Sequence, residues 1–191
     1  MTAGSLRWSC RVFVCVACPV GVFAGASAAC GGRTQLVPAY QIGRLSSDAI
    51  VANDSGVRVV VRTAAWPDPQ IAFSRIQPIE MTFDNASSHP LSVDQNHIAL
   101  VTDAGQRLSS IPPTELPQMA DSELASDRRL PIVQMKNRAL AEGVLPLQGR
   151  RSGFVYFERP DDTQQLHLEI DLVSADSGTQ FGTIMIPFLI D

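Results

Sequence analysis

The sequence predicts an all-β fold: an immunoglobulin-like antiparallel β-sandwich with a short helical or irregular excursion, preceded by a signal peptide. Three observations predict it. Apolar residues recur at every second position in several segments, clusters of turn-forming residues separate those segments, and every cysteine lies in the first 30 of 191 residues.

The alternation is clearest in three places. Val57, Val59 and Val61 interleave with Arg58, Val60 and Arg62. Ile79, Met81 and Phe83 interleave with Glu80, Thr82 and Asp84. Leu166, Leu168, Ile170 and Leu172 interleave with His167, Glu169 and Asp171. Successive strand residues face opposite ways, so each segment dries one face and wets the other. A strand buried in a parallel sheet would be apolar on both faces, so the pairing is expected to be antiparallel. The intervening clusters 53–56, 84–87, 103–105 and 174–178 are rich in Asn, Asp, Ser and Gly, the residues that turns require. Further strands are expected at Leu91–Val93, His97–Val101, Phe154–Phe157 and Thr183–Ile190. Pro187 has no backbone N–H, so the last strand should be an edge or carry a bulge there. Seven or more such strands fit a sandwich.

The excursion spans 112–143. Pro112, Pro113 and Pro117 break any strand, Asp121–Arg129 has helical composition with Asp121 or Ser122 as its cap, and a second helical patch is expected from Val133 to Ala141. The domains are therefore read as a signal peptide over 1–29, an N-terminal linker over 30–48, and a sandwich over 49–191.

Residues 1–29 hold Arg7 and Arg11 and no acid, so the rest carries 13 basic against 19 acidic residues, a formal charge of −6. Such a balance argues against nucleic acid, whose phosphates call for a basic stripe. Residues 31–191 contain no cysteine, which excludes a disulfide, a thiolate nucleophile and a cysteine metal site from the domain. About 160 residues suffice to bury a core without such staples.

The first 30 residues have the layout of a secretory signal: Arg7 and Arg11, an uncharged run from Val12, then Ala24-Gly25-Ala26-Ser27-Ala28-Ala29 before Cys30. Ser27-Ala28-Ala29-Cys30 resembles the bacterial lipobox, with Ser27 where Leu is usual. The resemblance implies that Cys30 is acylated, becomes the new N-terminus and tethers the chain to a membrane. One acyl chain holds only reversibly, and lipoproteins of this kind carry several. Gly31, rather than Asp, implies the outer membrane if the envelope has two membranes. Other readings stay open: Ala26-Ser27-Ala28 is itself a cleavage site for a soluble secreted or periplasmic protein. The 18 uncharged residues Val12–Ala29 could remain as an anchor, or Cys18 could be the acylated residue.

A second resemblance lies in the domain. Met81–Ser87, Pro90–Val93, Ile98–Gly105 and Leu147–Phe157 are similar to immunoglobulin-like modules of bacterial exported lipoproteins. These residues carry architecture and no catalytic group.

Candidate chemistry is sparse. His167, Glu169 and Asp171 share a strand face, but the outer two lie about 13 Å apart, too far for one ion, so a solvated face is expected. Gly149-Arg150-Arg151-Ser152-Gly153 precedes a strand and is read as a turn, not a nucleophile elbow. Asp161-Asp162 reads as an exposed loop, His89 as a turn residue and His97 as a surface residue. Asn53-Asp54-Ser55 and Asn85-Ala86-Ser87 match the glycosylation sequon and are read as turns. Two residues are candidates for partner binding. Trp66, in Trp66-Pro67-Asp68-Pro69, either meets a partner or caps the core. Tyr156 lies on a strand apolar on both faces, which is either covered by the excursion or exposed as a patch. No cofactor or metal is expected. The resulting expectation is a non-enzymatic binding, scaffolding or accessory module in the cell envelope, held by its N-terminal lipid and meeting an envelope protein. The alternative is a carboxylate-based hydrolase with its site near 112–143.

Overall fold

The computed structural model describes residues 36–38, 49–67, 75–118, 132–159 and 165–190. The chain divides into two units, Met1–Gly31 and Gly32–Asp191. The second contains β1 (Leu36–Pro38), β2 (Ala49–Asp54), β3 (Val57–Arg62), β4 (Ile76–Asn85), β5 (Leu91–Val93), β6 (Ile98–Thr102) and β7 (Arg107–Ile111). After these come α1 (Ile132–Arg138), β8 (Gly143–Leu145), β9 (Arg150–Glu158), β10 (Gln165–Ser174) and β11 (Gln180–Ile190). β1 falls inside the stretch expected to be linker, where it pairs with the end of β11. The excursion keeps its place between β7 and β8. Its first predicted helix, Asp121–Arg129, lies outside the described residues, and the second is α1, one residue earlier than expected and ending at Arg138.

All strand pairings are antiparallel, and they build an immunoglobulin-like sandwich. One sheet runs β1-β11-β10-β6-β7, with β5 and β8 extending it beside the end of β10; the other runs β7-β9-β4-β3-β2. β7 belongs to both: Arg107, Leu108 and Ser109 pair with β6, and Ser110 and Ile111 pair with β9. β5 and β6 lie along the same edge of β10, interrupted by a 3-10 turn at Gln95–His97. Asp94 starts that turn by accepting the Asn96 N–H at 2.8 Å, so His97 belongs to the turn and β6 begins at Ile98.

The period-two residues form the core as their spacing requires. Val57, Val59, Val61, Ile79, Met81 and Phe83 meet Leu166, Leu168, Ile170 and Leu172 between the sheets. Their removal from water is the main stabilising term, roughly 1.5–3 kcal/mol for each fully buried aliphatic or aromatic side chain.

Both sides of the sandwich have their own closure. Along β9, the segment after α1 runs beside the strand: Leu140 N–H donates to Phe154 C=O at 2.8 Å. The Arg151 guanidinium then donates to the carbonyls of Ala141, Gly143 and Val144 at 3.1, 2.9 and 2.8 Å. This approach requires Gly153, since a Cβ there would lie on the Leu140 Cα and 2.7 Å from Leu140 N. At the opposite side, Asp54 Oδ2 accepts the Thr183 N–H at 3.0 Å, joining β2 to β11. In a regular strand alternate N–H groups point the same way, so Thr183 and Met185 direct theirs away from β10, and Pro187, which has none, occupies the next such position. Pro187 thus sits where a missing donor removes nothing from the β10 ladder, an edge position as expected. The bulge lies elsewhere, between Leu172 and Val173 of β10.

One pole is organised by Asn85, which is 1% exposed. Its Nδ2 donates to the carbonyls of His89, Leu145 and Pro146 at 2.9, 3.2 and 3.3 Å, and its Oδ1 accepts from Ser87 N and Ser87 Oγ at 3.1 and 2.7 Å. Its backbone pairs with Gly149 and Gln148, so one residue ties the β4–β5 turn to the β8–β9 turn.

Asn85→Ala is expected to lower unfolding free energy by about 2–3 kcal/mol in urea titration, because it removes the buried amide's contacts to His89, Leu145, Pro146 and Ser87 together. Gly153→Ala is expected to cost about 3 kcal/mol, since the obstruction is backbone rather than a movable side-chain tip. Unchanged midpoints would mean that these closures do not hold the sandwich.

Candidate functional site

β9 has two dry faces. Val155 and Phe157 point into the sandwich, while Phe154 and Tyr156 point outward into a second core with Trp66, Ile76, Ile111, Leu116 and Met135. Trp66 is 8% exposed and Tyr156 fully buried. The excursion therefore covers the outer face of β9, and both candidate partner residues are packed beneath it. Burial, not an exposed patch, explains the unbroken apolar run Phe154–Phe157.

The rings in this second core are specifically arranged. Trp66 meets Phe154 edge-on with centroids 4.9 Å apart and Tyr156 at 6.1 Å, and Phe154 stacks on Tyr156 at 6.4 Å. Edge-on geometry places the positive rim of one ring against the negative face of another. The Tyr156 hydroxyl donates to Met135 C=O at 2.8 Å. Carbonyls in the last turn of a helix lack intrahelical donors, so this bond supplies what α1 cannot supply itself. Burial pushes the Tyr156 phenol well above its ordinary range, with the nearby Arg138 charge working weakly the other way. The Arg138 guanidinium lies 5.7 Å from the Trp66 ring centre, a cation–π contact. The Trp66 indole N–H is buried and has no acceptor among the described residues.

The polar face of β10 is an ion-pair ladder. Arg107, on β7, pairs with Glu169 and reaches Asp171 at 3.6 Å, while His167 Nε2 lies 3.8 Å from Glu169. Gln180 and Thr183 donate to Asp171 Oδ1 at 3.0 and 3.3 Å. The carboxylates thus have protein partners, and no group of three metal-ligating residues occurs among the described residues. On the other sheet Arg62 pairs with Glu80 at 3.3 Å and Arg150 with Asp84 at 3.4 Å. Ser152 shares a hydrogen bond of 2.8 Å with Thr82 across the β4–β9 pair, so it is a strand residue within β9, not the turn that its sequence predicts.

His89 is exposed in the turn after β4, and its ring lies 5.6 Å from Phe181. His97 is half-buried, with its Nδ1 enclosed and without a partner. Of the two sequons, Asn53 is exposed on β2 and not in a turn, whereas the Asn85 amide is consumed by its carbonyl partners. Cys30 and the Asp161-Asp162 pair lie outside the described residues. A groove of about 450 Å3 separates Ile50–Asn53 of β2 from Met185–Pro187 of β11, with Met185 59% exposed.

The class defined by this architecture is an antiparallel, immunoglobulin-like β-sandwich with a helix-covered second core. No known protein family profile and no curated protein matches the chain. Among solved structures, the chain is similar to ycdA of Bacillus subtilis, a candidate lipoprotein, at 12% identity and a TM-score of 0.39. That likeness covers 81% of this chain and 33% of ycdA, so the chain spans about a third of that protein's length. It is also similar to the secreted protein MPT63 of Mycobacterium tuberculosis, at 9% identity and a TM-score of 0.35, covering 76% of this chain and 97% of MPT63.

The raised Tyr156 phenol has a measurable consequence. The folded state favours the neutral phenol, so this stabilisation is complete below about pH 10, the ordinary tyrosine range, and falls as pH rises above it. Urea unfolding from pH 8 to 11 should show wild type losing its stability advantage over Tyr156→Phe. Parallel pH curves for the two proteins would contradict the burial of this hydroxyl.

Proposed function

We propose that the chain is an exported lipoprotein, held at a membrane of the cell envelope through acyl chains on Cys30, whose sandwich serves as a non-enzymatic binding or accessory module. The observation that carries this reading is the position of Cys30. It ends a run of small residues behind an apolar stretch, and none of the 161 residues that follow it here is a cysteine. A thiol at that boundary has no disulfide partner downstream, and acylation gives it a use. With Gly31 as the next residue, the outer membrane is the favoured address in an envelope that has one.

The module part of the reading is supported by how the domain uses its polar groups. The carboxylates of β10 are held by Arg107, Gln180 and Thr183, and those of β4 by Arg62 and Arg150. A carboxylate already engaged by a guanidinium is a poor general base, because its charge is stabilised and its lone pairs are occupied. Such ladders keep a sheet face soluble while leaving the second core to do the recognising.

In the producing cell, Cys30→Ala is expected to abolish incorporation of labelled palmitate and to move the protein out of the detergent phase. Retained label would overturn the anchor. For the module, the intact chain is expected to leave peptidoglycan and cell-wall polysaccharide unchanged after prolonged incubation. Release of soluble fragments would overturn the non-enzymatic reading.

A further inference from the structure

The second core has a weak cover over a strong surface. α1 has seven residues, whereas an isolated helix needs roughly 12–15 to persist in water. Within it Met135 is the buried residue, and Val133 is 73% exposed. Two directed contacts hold its C-terminal turn: the Tyr156 hydroxyl on Met135 C=O, and Arg138 over the Trp66 ring.

What lies under α1 is the kind of surface that binds. Trp and Tyr supply large rigid areas with a polar handle at one end and dominate interface energetics. Here the handle of Trp66 is unused: its indole N–H is enclosed, on a residue more than nine-tenths buried, with no acceptor among the described residues. Burying a donor without an acceptor is unfavourable. The covered state therefore carries a cost that an incoming acceptor would relieve.

We propose that α1 is a displaceable strap over a ligand site formed by Trp66, Phe154 and Tyr156, and that its ligand is an apolar aromatic group bearing a hydrogen-bond acceptor. When α1 lifts, the indole N–H donates to that acceptor, the Tyr156 hydroxyl is released from Met135, and Arg138 leaves the ring face free for stacking. The site does not depend on anchoring through Cys30. It rests on the module reading only in giving that module a place to bind.

The test uses the full chain carrying Trp8→Phe, which leaves Trp66 as the single indole. Amide hydrogen exchange should show 132–138 opening about a hundredfold faster than 150–158, as a separate unit. Arg138→Ala and Tyr156→Phe each remove one contact that closes the strap. Each should raise exchange in 132–138 about two- to fivefold, with 150–158 still far slower than 132–138. The probe is 8-anilinonaphthalene-1-sulfonate, an aromatic anion with acceptor oxygens, and energy transfer to it from Trp66 should rise in the same two variants. If 132–138 exchanges at the rate of 150–158 in all three proteins, α1 is not a strap. If the strap opens without added transfer from Trp66, the surface beneath it is not a ligand site.

Discussion

A single buried amide sets the geometry at one pole of the sandwich. Asn85 ends β4, and its side chain reaches three carbonyls while its own oxygen accepts from Ser87. The Leu145 and Pro146 carbonyls belong to the chain leaving β8, which lies in the sheet opposite β4. The amide therefore fixes the separation of the sheets at that pole, and with it the registers of β8 on β5 and β9 on β4. A hydrophobic core is non-directional and would tolerate sliding. A polar hub inside it resists sliding, because displacement takes the amide donor from the Leu145 carbonyl and leaves His89 C=O and Pro146 C=O with only Ser87 Oγ and Gly149 N–H.

The same economy appears at the sheet edges, where unpaired N–H and C=O groups invite pairing with other chains. Arg151 places its guanidinium on the carbonyls of Ala141, Gly143 and Val144, Asp54 takes the Thr183 N–H, and Pro187 offers no donor at all. Between Asp54 and Pro187 the β11 edge presents little more than Met185. β7 performs the complementary task by passing from one sheet to the other, so that side of the sandwich has no free strand to protect.

What the sequence revealed follows from which interactions are periodic. Strands with one wet and one dry face announce themselves, and β3, β4 and β10 lie where alternation places them. Phe154 and Tyr156 broke the alternation of β9 and so pointed to a cover, which α1 provides. β7 left no such trace. Arg107-Leu108-Ser109-Ser110-Ile111 changes sheets midway, so its two halves face different surroundings and no period survives. With β7 unread, the Arg107 partnership with Glu169 and Asp171 could not be read either, and those acids looked like bare solvated residues. Asn85 was legible as a turn residue, but local sequence does not distinguish an exposed turn amide from one enclosed by the distant carbonyls of Leu145 and Pro146. β1 was hidden for a simpler reason, since three residues are too few to show any period.

The two cores differ in what they ask of their cover. The inner one is enclosed by two sheets whose backbones are hydrogen-bonded along their length, so opening it means unfolding the domain. Among the described residues the outer one is covered by α1 and by Leu116 of the segment after β7, with α1 tied at Met135, Arg138 and the Ala139 bridge to Phe154. Large aromatic side chains are costly to expose, and a domain of this size has ample inner core without them. Under the strap proposal their placement beneath α1 divides the tasks: the sheets carry stability, and the aromatic surface is uncovered for binding without loss of the fold.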